Sequence, residues 1–295
     1  MTSHLRLAFV TPLACWLAAC GPTPSGDDDD DMPIDARIID AIGIDAIDGP
    51  PEPDPSRVYA HSGTTLYRID TATMAAIPVG TFTGPMLATG VLDLALDRDD
   101  DMIAVTRDQI FRVNPTTAAV TFLADYTGGD LTSLSFVPVN IAAPDGPEML
   151  IAATGDGQVV RIEVVGTTAT VSPLGNYGLS GGIQIASSGD LVYIKGVGTF
   201  ATVDVGLPAG NDFLASVDPA NGWRATLIGT GTTFNNIFGV AYWGGRMYGF
   251  ADDGFAAATG KFIELNQVSG NATLITMGAI RWFGAGVTTE APLIP

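Results

Sequence analysis

A short strand motif recurs five times between residue 57 and the end of the chain. Each copy has apolar residues at its first and fourth positions and closes on an Asp, Asn or Glu where a turn follows. The copies close at Asp70, Asn114, Glu163, Asp218 and Asn266, which are 44, 49, 55 and 48 residues apart. A period of this length indicates repeated supersecondary units that bury their apolar faces against one another.

Each copy of the motif is predicted to be one of four strands in a repeat. A second strand follows every copy, and two strands around a turn precede it, as in 92–96 and 102–106. In the fourth repeat, 183–186 and 191–195 are predicted to flank a turn at 187–190. Four strands in roughly 45 residues are typical of a β-propeller blade. The sequence therefore predicts an all-β chain with a single β-propeller.

The two ends of the repeat region predict how the ring closes. The first repeat lacks its innermost strand, because residues 58–60 already have the pattern of a second strand. Residues 284–289 form a strand pattern that has no continuation. We therefore expect five four-stranded blades, one of which combines N- and C-terminal strands. Six blades remain an alternative if 196–213 contains an extra hairpin, and a β-sandwich or two small β domains would also suit the strand pattern.

The first 19 residues have the pattern of a signal peptide. Residues 7–19 are apolar apart from Thr11 and Pro12, which is too short a stretch to span a bilayer. This stretch ends in Leu17-Ala18-Ala19, and with the next residue the sequence Leu17-Ala18-Ala19-Cys20 resembles the lipobox of bacterial lipoproteins. The resemblance implies cleavage before Cys20 and lipid attachment to that residue, which would anchor the protein to a membrane. The alternative is an ordinary secreted protein in which Cys20 has no such role.

Residues 20–56 are predicted to form a disordered acidic tether. Five consecutive aspartates occupy 27–31, Ile-Asp pairs recur from 34 to 48, and prolines are dense from 50 to 55. Like charges repel and prolines stiffen a chain, so an extended segment is expected. The segment is similar to the Asp-rich spacers of myxobacterial lipoproteins. Loose binding of divalent cations by the five aspartates is the alternative. Residues 57–295 then form the propeller domain.

Composition excludes several classes of function. The formal net charge is −19 with 13 Lys and Arg, so a nucleic-acid partner is not expected. The two cysteines, Cys15 and Cys20, lie in the first 20 residues, so the predicted propeller has no disulfide and no thiolate metal site. His61 is the only histidine beyond His4, so a Ser-His-Asp triad would have to use it.

The loops expected at one end of the propeller carry aromatic, amide and carboxylate side chains, which suit a protein, peptide or glycan ligand. The alternative is that the aromatic residues pack between blades. The candidate ligand-binding residues are Tyr126, Asp130, Asn176, Tyr177, Asn235, Asn236, Arg281 and Trp282.

Three alternating aspartates, Asp97, Asp99 and Asp101, resemble part of a calcium loop. Met102 replaces the glycine that such a loop needs, and no Glu completes twelve residues, so a hairpin turn explains the three aspartates better. They are the weak candidates for a Ca²⁺ cofactor. No phosphate loop, dinucleotide fingerprint or nucleophile elbow occurs in its required context.

Two functions follow from these observations. The repeat resembles bacterial extracytoplasmic propellers in architecture. The lipobox resemblance implies a lipid-anchored protein of the bacterial cell envelope, in the outer membrane and facing the periplasm or the surface. Its propeller would act as a non-catalytic binding or scaffold module. The alternative is a calcium-dependent propeller enzyme of the lactonase or lyase type. That enzyme needs Asp, Glu and Asn oxygens converging on the propeller axis, with Asp93, Gln184, Thr288 or Glu290 as sources, whereas an apolar or glycine-lined channel would favour binding.

Overall fold

The computed structural model describes residues 56–85, 87–127, 129–206, 210–254 and 256–294. These residues form 21 β-strands and one short 3₁₀-helix, Pro219–Asn221. None of the described residues belongs to a helix long and apolar enough to cross a membrane. The predicted signal peptide, the lipid-bearing Cys20 and nearly all of the acidic tether lie outside the described residues.

The strands form five four-stranded antiparallel blades, and the strands of each blade are given from the inner to the outer edge. Blade 1 contains β21 (Gly284–Val287), β1 (Val58–His61), β2 (Thr65–Asp70) and β3 (Ala75–Thr81). Blade 2 contains β4 (Asp93–Leu96), β5 (Met102–Val105), β6 (Gln109–Val113) and β7 (Val120–Tyr126). Blade 3 contains β8 (Leu131–Pro138), β9 (Glu148–Thr154), β10 (Gln158–Val165) and β11 (Thr168–Asn176).

The last two blades follow the same order. Blade 4 contains β13 (Ile183–Ile194), β14 (Gly198–Val205), β15 (Phe213–Asp218) and β16 (Arg224–Ile228), and the short β12 (Leu179–Ser180) precedes it. Blade 5 contains β17 (Ile237–Trp243), β18 (Arg246–Asp252), β19 (Gly260–Leu265) and β20 (Ala272–Gly278).

The predicted ring closure is confirmed. β21 pairs with β1, with Val287 opposite Val58 and Gly284 opposite His61. The five inner strands contact one another in sequence around the axis, so β17 of blade 5 packs on β21 of blade 1. At the periphery, a parallel pairing of β7 with β11 joins blades 2 and 3 into one eight-stranded sheet. The protein is therefore a five-bladed β-propeller.

Burial follows the position of a strand within its blade. The inner strands β4 and β21 are buried at every residue, because neighbouring blades cover both of their faces. The outer strands β3 and β20 are largely exposed. The core consists of apolar side chains between adjacent blades, among them Leu94, Met102 and Phe111 between blades 1 and 2. Inter-blade packing is thus the main apolar contribution to stability.

The hairpin predicted for blade 4 is wrong. Residues 183–194 form one inner strand, in which the register shifts between Ser187 and Leu191. The second strand of the blade is β14, within the segment considered as a source of a sixth blade. Ser-Ser-Gly-Asp has the composition of a turn, but Asp190 is 1% exposed and accepts hydrogen bonds from the amides of Leu191 and Val240. The four residues form a bulge because Asp190 binds the neighbouring blade.

Candidate functional site

A cavity of about 300 Å³ lies at the end of the propeller where the inner strands begin. All five blades contribute to its wall. Phe283 precedes β21, Leu92 precedes β4, and Arg107 lies in the turn after β5. The remaining lining residues belong to the start of β8, the bulge of β13 and the start of β17; they are Asp130, Leu131, Thr132, Ser188, Gly189 and Phe238. We call this space the axial cavity.

Two phenylalanines form one side of the axial cavity. The ring centroids of Phe238 and Phe283 are 6.4 Å apart at an angle of 44°. The guanidinium of Arg281 lies 5.4 Å from the centroid of Phe283, and two hydrogen bonds of 2.8 and 2.5 Å attach it to Asp252. The amide of Phe283 donates to the carbonyl of His61 at 2.9 Å. These contacts hold the aromatic side chain in place, so this part of the cavity is preformed.

A pair of opposite charges lies at the rim of the axial cavity. A guanidinium nitrogen of Arg107 is 3.8 Å from a carboxylate oxygen of Asp130, and the two side chains are 71% and 75% exposed. This distance is longer than a hydrogen bond, so each group keeps hydrogen-bonding capacity for a ligand. The pair contributes little to stability, because exposed ion pairs are screened by water.

The floor of the axial cavity depends on the bulge in β13. Thr132 donates a hydrogen bond of 3.0 Å to the hydroxyl of Ser187, which links blades 3 and 4. Gly189 approaches the carbonyl of Ile237 too closely for any side chain. Further along the axis lies a void of about 10 Å³, which is lined by apolar residues, glycine and Ser135. That volume suits one water at most, so the axial cavity is a pocket with a closed floor.

Two carboxyl groups are buried near the axis beneath the cavity. Asp190 accepts from the amides of Leu191 and Val240 at 2.6 and 2.5 Å. Burial raises the pKa of Asp93 well above its ordinary value, and the neighbouring charge of Asp190 raises it further. Burial likewise raises the pKa of Asp190, although its two backbone hydrogen bonds favour the charged form. We therefore assign the proton of the pair to Asp93, which can donate it to Asp190.

His61 is the third buried titratable group in this region. Its Nδ1 lies 2.8 Å from the carbonyl of Ser62 and must donate to it, which makes Nε2 an acceptor. Burial lowers the pKa of His61 to about 4, so the ring is neutral at pH 7. A Cβ at Gly284 would lie less than 3.0 Å from both Nε2 of His61 and Oδ1 of Asp93. His61 is fully buried, so a hydrolytic triad built on it would have no open approach from solvent.

The aromatic residues predicted to bind ligand have structural contacts. Tyr126 is buried, and its hydroxyl donates to the carbonyl of Thr106 at 2.6 Å. Tyr177 is fully buried in the apolar core shared by blades 3 and 4. Trp282 is 4% exposed, with its ring 5.4 Å from Tyr67 and 5.2 Å from Phe250. Their packing matches the alternative stated for these residues.

The polar candidates occupy different positions. Asp130 lies in the wall of the axial cavity, and Arg281 supports that wall from outside through Phe283. Asn236 donates to the carbonyl of Asp252 at 3.1 Å, and Asn176 and Asn235 are exposed at blade-connecting turns. None of these three asparagines lines the axial cavity.

Sequence reasoning missed Arg107, Leu92 and Phe283. A usable signal was present, because Leu92 is the first residue of a predicted inner strand and Phe283 directly precedes another.

Asp97, Asp99 and Asp101 form a hairpin turn. The carboxylate of Asp97 accepts from the amides of Asp99 and Asp101, both at 2.9 Å. Asp101 lies 3.3 Å from the guanidinium of Arg112. Over the described ranges, no group of three or more His, Cys, Asp or Glu side chains is arranged to hold a metal ion.

Comparison with known proteins finds no matching family model and no matching curated protein. Comparison with solved structures finds matches at low identity. A protein of unknown function from Bacteroides thetaiotaomicron is 15% identical with a TM-score of 0.44; the match covers 65% of this chain and 52% of that protein, so the chain spans about half of its length. A protein assigned as TolB from Agrobacterium tumefaciens is 13% identical over 78% of this chain and 80% of its own, with a TM-score of 0.43. The Cps50 (Swd1) β-propeller domain of Myceliophteria thermophila is 11% identical over 70% and 61%, with a TM-score of 0.37.

Proposed function

We propose that this protein is a lipid-anchored binding module of the bacterial cell envelope and that its ligand occupies the axial cavity. The observation that carries the binding role is the cavity itself. All five blades contribute to its wall, it has a closed floor, and it combines apolar side chains with a charged pair. Small-molecule sites are typically concave, mostly apolar and equipped with a few placed polar groups.

The donors at the axis do not suit a calcium site. Calcium takes six to eight oxygen ligands, usually from several carboxylates. The structure describes two buried carboxyls at the axis, Asp93 and Asp190, and Asp190 already accepts two backbone amides. The small void further along the axis is lined by apolar residues and glycine apart from Ser135, whose hydroxyl oxygen accepts from the amide of Tyr193, and no carboxylate lines it. A binding role therefore has more support than a calcium-dependent lactonase or lyase.

The proposed location rests on the N-terminal sequence. The lipobox-like Leu17-Ala18-Ala19-Cys20 supports lipid attachment at Cys20, and the acidic residues 20–56 would hold the propeller away from an outer membrane. The partners proposed are the membrane, through the lipid, and a protein, peptide or glycan ligand. A net charge of −19 argues against nucleic acid.

The anchor is tested by Cys20→Ala. We expect this variant to leave the detergent phase and the membrane fraction, because the acyl chains attach at that residue. Cys15→Ala is the matched control and should remain in the membrane, since Cys15 lies inside the apolar segment of the signal peptide. Equal retention of both variants in cell fractionation would refute lipid anchoring at Cys20.

The binding role is tested with a panel of short peptides, free amino acids and oligosaccharides, with the melting temperature as the readout. A ligand of the axial cavity should raise the melting temperature of the wild type and of Phe122→Ala, but not of Phe283→Ala. Phe122 is the matched control because it is a half-buried phenylalanine on β7, outside the cavity wall. If every stabilising compound acts equally on Phe283→Ala, the ligand does not bind in the axial cavity.

A further inference from the structure

The charges of the axial cavity are arranged as two neighbours of opposite sign. Arg107 and Asp130 lie 3.8 Å apart, on the turn after β5 and at the start of β8. An anion that approaches Arg107 also meets the carboxylate of Asp130, and a cation that approaches Asp130 meets the guanidinium of Arg107. A ligand with a single charge therefore gains little at this rim, whereas a ligand with two adjacent opposite charges can pair with both groups.

The rest of the wall restricts the body of the ligand. Leu92, Leu131, Phe238 and Phe283 present apolar surface, and the two hydroxyl groups of the wall, on Thr132 and Ser188, are hydrogen-bonded within the protein to Ser187 and Asp212. Phe283 is fixed between Phe238 and the guanidinium of Arg281. A sugar carries hydroxyl groups around its whole ring, and an apolar wall would leave buried hydroxyls without partners. An apolar group that extends from one charged end meets no such cost.

An α-amino acid has this distribution of groups, because its ammonium and carboxylate are attached to one carbon and its side chain projects away from them. We propose that the axial cavity binds a free α-amino acid with a large apolar side chain. Its carboxylate pairs with Arg107, its ammonium pairs with Asp130, and its side chain packs on Phe238 and Phe283. A cavity of about 300 Å³ is at the small end for ligand sites and accommodates one such molecule. This assignment rests on the proposed binding function and names its ligand class.

The experiment is isothermal titration of the full-length protein in detergent with L-phenylalanine, N-acetyl-L-phenylalanine and L-phenylalaninamide. Wild type is expected to bind L-phenylalanine and to bind each blocked derivative about tenfold more weakly, the loss of one charge-assisted hydrogen bond. Arg107→Gln and Asp130→Asn should each weaken L-phenylalanine by a similar factor. Both side chains are largely exposed, so the variants should keep the wild-type melting temperature.

The derivatives also test which charge each residue recognises. N-acetyl-L-phenylalanine lacks the ammonium, so its affinity should fall with Arg107→Gln but should not fall with Asp130→Asn, which removes a carboxylate that repels its own. L-phenylalaninamide should show the reverse. Arg246→Gln and Glu264→Gln are matched controls, since these residues form an exposed ion pair of 3.4 Å on blade 5, and neither should change any affinity.

Three results separate this inference from the proposed function. If L-phenylalanine does not bind, or if it and both blocked derivatives bind equally, the amino-acid assignment is wrong. If a peptide or an oligosaccharide then still stabilises the wild type but not Phe283→Ala, the binding function stands with a different ligand class. If no compound distinguishes the wild type from Phe283→Ala, both the assignment and the binding function are refuted.

Discussion

Ring closure gives the sharpest test of the architecture. A chain that ends at Phe283 lacks β21, the inner strand of blade 1. β21 pairs with β1 over four residue pairs, and all four of its residues are buried. In an antiparallel ladder every second residue of β1 bonds to that neighbour, so the truncation leaves about four backbone groups without partners.

The energetic cost follows from burial. An abandoned buried backbone group costs about 1–3 kcal/mol, so the loss of pairing alone amounts to about 4–12 kcal/mol. The truncation also removes the buried side chains of Ala285 and Val287, which fill space between blades 5 and 2. A typical domain has a net stability of about 5–15 kcal/mol. We therefore expect the truncated chain not to fold.

Circular dichroism and thermal melting distinguish the outcomes. The control is a chain that ends at Pro292, which keeps β21 and the 2.9 Å hydrogen bond from the amide of Gly244 to the carbonyl of Pro292. It should melt near the wild-type temperature. Placing residues 284–292 ahead of Ser56 through a short linker should restore the fold to the truncated chain. Cooperative melting of the chain that ends at Phe283, without this rescue, would refute the reasoning.

Three further predictions concern buried groups. Burial raises the pKa of Asp212 to about 7. The stability that its protonated carboxyl contributes is therefore present below the ordinary pKa of an Asp and is lost as the pH rises through 7. In urea melts between pH 4 and 7, the free energy of unfolding of the wild type should fall relative to that of Asp212→Asn by about 1.4 kcal/mol per pH unit. Burial lowers the pKa of His61 to about 4, so the stability that its neutral ring contributes is present above pH 6.5 and is lost as the pH falls through 4. His61→Gln should remove this component of acid unfolding. An acid transition that is unchanged in the variant would contradict the prediction. Gly189→Ala should lower stability by about 1–3 kcal/mol in a chemical melt, because its Cβ would overlap the carbonyl of Ile237, while Gly278→Ala, which has open space, should not.

The repeat made most of the architecture predictable from the sequence. Apolar residues at the first and fourth positions of each motif copy located the third strand of every blade, and the strand patterns at 58–60 and 284–289 located the closure. These signals are local and depend only on strand periodicity. The error in blade 4 had a different cause. Whether Ser-Ser-Gly-Asp forms a turn or a bulge depends on Val240, more than 45 residues away, whose amide binds Asp190.

The candidate site was less predictable, because a cavity at the axis depends on which residues of five blades meet. Asp130 was identified from its loop and lies in the wall. Arg107 was not identified, because only the three-dimensional ring shows which turn between a second and a third strand lies beside the loop before β8. The sequence could not show which aromatic rings pack between blades and which line the cavity, for the same reason. Trp282 and Phe283 are adjacent in sequence, but Trp282 is buried in the core and of the two only Phe283 lines the cavity.

Departures from the repeat coincide with the polar chemistry of the axis. Asp93 occupies the first position of an inner strand, and Asp190 lies in a register shift of β13 that is larger than those of β8 and β17. Gly284 leaves the space beside His61 and Asp93 that any other residue would fill. A ring built from equivalent strands would place equivalent apolar residues at its centre, so each of these exceptions carries the cost of a buried polar group or of a missing side chain. Such costs are retained where the groups position a functional part of the protein, and here Asp93, Asp190 and Gly284 form the floor directly beneath the axial cavity.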